Sequence, residues 1–187
     1  MRLKAPRIAP LSDAELTPEQ AEALEAFRPA PVLNIFRTLA HAPKALTRFN
    51  AWGGYVLSRR NDLPPREREI VILRTGFLCK SGYEWTQHVR IGLREGLTDD
   101  EVVRIKQGAA AGWKPADAIL IRASDELHAD QFITDATWAE LRRHYSEKQC
   151  MDVVFTAAQY TQVSMFLNTF GVQLDQGQTL DPDLKGF

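Results

Sequence analysis

Residues 69–88 read EIVILRTGFLCKSGYEWTQH, and the way this stretch folds decides the rest of the chain. Glu69 heads a continuous apolar run, Ile70-Val71-Ile72-Leu73, which suits a buried strand as well as a buried helix. The charged lead-in Arg66-Glu67-Arg68-Glu69, directly after Pro65, tips the reading to a helix from Arg66 to about Phe77, because proline and acids belong in a first helical turn. Lys80-Ser81-Gly82 breaks that helix. A second one starts at Ser81, runs to Glu95 and stops at Gly96. On it Glu84 and His88 lie one turn apart on a single face, a carboxylate beside an imidazole, which is an acid/base pair at neutral pH.

Outward from that stretch the punctuation stays helical. Residues 1–16 are rich in proline and polar groups and read as an extended arm suited to lie on a neighbouring subunit. Thr17-Pro18-Glu19 opens a helix that ends before Pro29-Ala30-Pro31. A short helix over 34–39 carries Ile35, Phe36 and Leu39 on one face. A third, over roughly residues 43–58, is expected to bury Leu46, Phe49, Trp52 and Leu57. Thr98-Asp99-Asp100-Glu101 is a capping box, and Gly108 to Pro115 is a turn. Helical spacing returns over 116–129. Thr134 or Asp135 caps a helix carrying Trp138 and Leu141, and Ser146-Glu147 starts the last, with Val153, Ala157, Tyr160 and Val163 along it. The polar stretch 173–187 is expected to fray or to pack on a neighbour. With no strand pair and no repeat, the reading is all-α: one helical domain over 17–172, flanked by the arm 1–16 and the tail 173–187.

The totals fit that reading. A chain of 187 residues, 44% of them hydrophobic, makes one domain with a real core. A net charge of −1 gives no electrostatic reason to expect nucleic acid or an anionic membrane as partner. No apolar run approaches the ~20 residues needed to span a bilayer. The basic N-terminus is followed by no apolar signal core, so the expected location is cytoplasmic. Cys79 and Cys150 match no paired motif, and a bond between them would be unusual in a reducing compartment. There is no Gly-rich phosphate loop, no metal-ligand spacing of histidines and no Cys-x-x-Cys, so neither a metal nor any other cofactor is expected.

Glu69, Ser81, Glu84 and His88 form the pattern E-x11-S-x2-E-x3-H. With Tyr83-Glu84-Trp85-Thr86-Gln87-His88 and the following Gly-Leu-Thr-Asp-Asp-Glu-Val at 96–102, it resembles the carboxymuconolactone decarboxylase and alkylhydroperoxidase D superfamily, and within it the decarboxylase-type branch. The peroxidase branch carries a Cys-x-x-Cys pair where this chain has Ser81 and Glu84. A serine hydroxyl forms no sulfenic acid, so thiol peroxidase chemistry becomes the alternative reading. The resemblance implies a helical bundle of the alkylhydroperoxidase D type, a homo-oligomer (trimer or hexamer), and a cofactor-free reaction on a small carboxylated lactone or related intermediate of aromatic catabolism. His88 is then expected to deliver a proton to carbon, with Glu84 orienting it and Glu69 completing a relay. Ser81, Tyr83 and Arg74 are the candidate substrate contacts, Arg74 through a bidentate grip on a carboxylate.

Each residue also has a plainer account. Ser81-x-x-Glu84 is itself a capping box. Glu84 and His88 could be a surface pair worth about 0.2–0.5 kcal/mol, and Glu69 a first-turn acid favoured by the helix dipole. Arg74 could face solvent or pair with an acid. His41, just before Pro43, could reach a site or lie at a loop end; His128 and His144 fall outside the pattern. A non-catalytic helical binding protein is the third functional reading.

Overall fold

The computed structural model describes residues 1–186; Phe187, in the expected tail, lies outside the described residues. Among them are nine α-helices and no strand: α1 Pro18–Leu24, α2 Asn34–Leu39, α3 Pro43–Val56, α4 Pro65–Leu78, α5 Gly82–Arg94, α6 Asp99–Gln107, α7 Pro115–Asp130, α8 Asp135–His144 and α9 Glu147–Phe170. The helix starts follow the local chemistry. Thr17, Thr98 and Ser146 build capping boxes with Gln20, Glu101 and Gln149, and Thr134 rather than Asp135 caps α8.

The ambiguous run is helix α4, and its position explains the ambiguity. It packs against α5, α7 and α9, and every residue from Arg68 to Gly76 is buried. A helix enclosed on all sides needs no polar face, so its apolar residues are continuous instead of periodic. Ile70, Val71, Leu73, Trp85, Leu120, Leu141 and Val153 form the main core around it. Lys80, at a φ of 55°, reverses the chain between α4 and α5.

Two glycines lie where α5 and α4 come close. A Cβ at Gly76 would lie 3.2 Å from Glu84 Cγ, and one at Gly92 would meet Leu97 Cδ1 at 2.8 Å and Glu69 Cβ at 3.6 Å. A side chain at Gly76 would crowd Glu84, whereas at Gly92 the tight contact is with the tip of the Leu97 side chain and the distance to Glu69 is ordinary packing.

Several expectations need correction. Trp52 and Leu57 are 42% and 46% exposed, because α3 turns that side outward. The tail does not fray. Asp175 accepts from Tyr83 Oη, Gln87 Nε2 and the Asn34 backbone N–H, Asp181 accepts from Trp85 Nε1 and Lys106 Nζ, and Leu184 is buried. The arm lies on its own chain: Arg7 and Ile8 donate to the Phe170 carbonyl, and the N-terminal amine donates to Leu184 O at 2.9 Å. Arm, bundle and tail are therefore one packed body. Both cysteines are free thiols.

Candidate active site

His88 stands between two carboxylates. Its Nδ1 is 2.7 Å from Glu69 Oε2 on α4, and its Nε2 is 3.0 Å from Glu84 Oε1 one turn back on α5. All three are buried, at 6%, 1% and 4% exposure, so the pairing is shielded from water and is not a surface pair. The Tyr160 ring of α9 meets the imidazole edge-on, with ring centroids 4.8 Å apart.

The electrostatics follow from this bracket. Burial works against a charged imidazole, but Glu69 and then Glu84 outweigh it, and the pKa of His88 is pushed up to about 10. At neutral pH the group is an imidazolium held between two acids. Burial and the same two acids push the Tyr160 phenol well above its ordinary value, so its hydroxyl stays protonated. The carboxylates approach opposite ring nitrogens, so the three side chains form no tripod, and no cluster of three or more metal-ligating groups occurs among the described residues.

A cavity of about 300 Å³ opens onto this bracket. Glu84, His88 and Tyr160 reach its wall; Glu69 lies behind them. The remaining wall is mostly apolar and comes from α2, α3, α5 and α9, including Ile35, Phe36, Phe49, Ile91 and Val163. Gln159, 4% exposed and also on the wall, leaves its Oε1 unpartnered. A larger groove of about 540 Å³ lies between the arm, α3 and α9, where His41 contacts the Ala9 carbonyl at 2.9 Å; it brings no carboxylate to its wall.

Of the residues singled out in the sequence, Glu69, Glu84 and His88 converge, and the others divide. The Tyr83 ring lines the cavity, but its hydroxyl donates to Asp175 Oδ2 at 2.6 Å and is not offered to a ligand. Ser81 is fully buried away from the wall; its Oγ neither caps α5 nor finds another partner, so the capping-box account of Ser81 and Glu84 fails. Arg74 does not face solvent and does not line the cavity. Its guanidinium is buried and donates to Asp125 and to the carbonyls of Ile105 and Lys106, close against Gly108. Cys79 lies 3.7 Å from His128 Nδ1, and neither cysteine lines the cavity. Sequence reasoning missed Gln159 and the role of Tyr160, which carry no signal beyond a polar residue between apolar positions of α9.

The carboxymuconolactone decarboxylase family model matches residues 43–125, the segment that contains α4, α5 and all three bracket residues. Over that segment, somewhat under half of its length, the chain is similar to this family. Solved structures of the same fold cover nearly the whole chain. An uncharacterized peroxidase-related protein with an alkylhydroperoxidase AhpD core, from Ralstonia eutropha JMP134, is 20% identical over 90% of this chain and 93% of its own, with a TM-score of 0.76. An uncharacterized peroxidase-related protein from Silicibacter sp. TM1040 is 13% identical over 100% and 98%, also at 0.76. The debrominase Bmp8, in complex with 2,3,4-tribromopyrrole, is 12% identical over 90% and 91%, at 0.73. No curated protein matches the chain in sequence. No helix among the described residues is long and apolar enough to cross a membrane.

Proposed function

We propose that the protein is a cofactor-free proton-transfer enzyme acting on a small organic molecule held in the 300 Å³ cavity. The observation that carries this reading is the buried Glu69–His88–Glu84 bracket with Glu84 and His88 on the cavity wall. Both ring nitrogens of His88 are engaged, so Glu84 is the group that meets the substrate, and His88 acts through it. Glu84 takes a proton from a carbon next to a carbonyl; the C–H electron pair moves into the enolate, and the Tyr160 hydroxyl donates to the oxygen that gains charge. Glu84 then returns the proton to carbon. His88 spans Oε1 of Glu84 and Oε2 of Glu69, and its positive charge compensates the acids through the cycle.

Loss of CO2 from a carboxylated lactone is the version that the superfamily suggests. It needs the same proton delivery to carbon, and also a cation to receive the carboxylate. Peroxide reduction by a thiol finds less support, since Ser81 and Glu84 stand at the cysteine positions and neither thiol reaches the cavity.

The test is proton exchange. Cyclic ketones, unsubstituted lactones and a carboxylated lactone are incubated with the protein in D2O and followed by NMR for deuterium at carbon and for CO2 release. At least one should exchange or react, and Glu84→Gln and His88→Gln should each lower the rate by about 10²–10⁴-fold. Full rates in Glu84→Gln would end the reading.

A further inference from the structure

The wall of the cavity carries more chemistry than proton transfer uses. No lysine or arginine lies on it. The bracket sets two carboxyl groups against a single imidazole. The nearest cation on α4 is Arg68, whose charge reaches Tyr160, but its guanidinium donates to the Ser58 carbonyl and lines a separate surface pocket. A carboxylate entering the cavity would therefore meet Glu84 with no fork of donors to hold it, whereas sites built for carboxylates supply a cation. Each unit of net negative charge about 6 Å away, at an effective dielectric near 20, would disfavour an anion by roughly a hundredfold.

Gln159 supplies the opposite preference. It is buried on α9 in a mostly apolar wall, and its unpartnered Oε1 would cost stability unless something reached it. The carboxamide can turn end for end, so it offers an acceptor or a donor to a neutral polar group. The volume, about 300 Å³, suits a substituted single ring, since a dry cavity of about 150 Å³ already accepts benzene.

We propose that this cavity selects neutral, single-ring molecules bearing one hydroxyl or N–H group, anchored on the Gln159 carboxamide, and turns carboxylates away. The assignment rests on the reading of this cavity as the substrate chamber, and it names the substrate class that the chamber takes.

Equilibrium binding tests it without turnover. Phenol, anisole and benzoate are titrated into the full chain at pH 7 by calorimetry; at that pH phenol is neutral and benzoate is charged. Phenol should bind at least about tenfold more tightly than benzoate and about three- to tenfold more tightly than anisole, which lacks the donor. Gln159→Leu should bring phenol down to the level of anisole. Gln159→Met, closer in shape, carries the same test should the leucine variant unfold. Glu84→Gln removes a charge from the wall and should narrow the gap between phenol and benzoate by about tenfold or more. Benzoate binding as tightly as phenol overturns the proposal, as does a phenol preference that survives both Gln159 variants. Binding of none of the three below about 10 mM, far weaker than a ~1 mM site, overturns it too. The expected binding pattern without deuterium exchange on any ketone or lactone would end the proton-transfer reading alone; exchange without the pattern would end this one alone.

Discussion

Replacing Glu69 by glutamine keeps the shape of the bracket and removes the charge that does most to hold the proton on His88. An opposite charge at hydrogen-bond distance moves a pKa by about one to three units, so His88 should titrate between about pH 7 and 9 in Glu69→Gln, against about 10 in the unaltered protein. Titration of the His88 ring carbons by NMR reads this directly. The same shift appears in stability, with a definite sign. The folded pKa lies above the ordinary value of 6.5, so the protonated imidazole stabilises the fold fully below about pH 6.5, and that contribution is lost as pH rises through about 10. The gap corresponds to about 5 kcal/mol, and Glu69→Gln should remove roughly 1.4–4 kcal/mol of it. Urea midpoints of the two proteins at pH 6.5 and pH 10 measure the difference, because lysine and tyrosine ionisations common to both cancel. A His88 pKa in Glu69→Gln at or above that of the unaltered protein would refute the bracket as described. So would a His88 that titrates near 6.5 in the unaltered protein.

Arg74→Ala should destabilise the fold by about 1–3 kcal/mol in urea, since it takes the partner from Asp125, from the buried Ile105 carbonyl and from the half-buried Lys106 carbonyl, with the exchange rate on substrate unchanged. A loss under about 1 kcal/mol would mean that the guanidinium is not the structural tie described. Asp175→Ala removes the acceptor shared by Tyr83, Gln87 and Asn34. Amide exchange over residues 173–184 should then speed up markedly, and stability should fall by about 1–3 kcal/mol; unchanged exchange there would show that the tail is held by other contacts.

Some of this molecule could be read before any coordinates. Thr17, Thr98, Thr134 and Ser146 announce helix starts because capping bonds join residues two or three apart. Glu84 and His88 share a face because helical geometry puts every fourth residue there. Other features needed the fold. Arg74 finds Asp125 across 51 residues, and the polar tail is tied down by partners on α5 and α6; neither pairing leaves a local trace. Trp52 and Leu57 show the same limit from the other side: helical spacing marks an apolar residue, but which face meets a neighbour depends on how helices dock.

The chain by itself determined an all-α bundle and one carboxylate–imidazole pair, because both arise from interactions within a turn or two of helix. Only the tertiary structure decided that Glu69 closes on the far nitrogen of that imidazole, that the bracket is buried, and that α2, α3, α5 and α9 wall a chamber without a lysine or arginine. Those facts depend on how closely α4 and α5 approach at Gly76 and Gly92, a packing distance set by the whole core and by no neighbouring pair of residues.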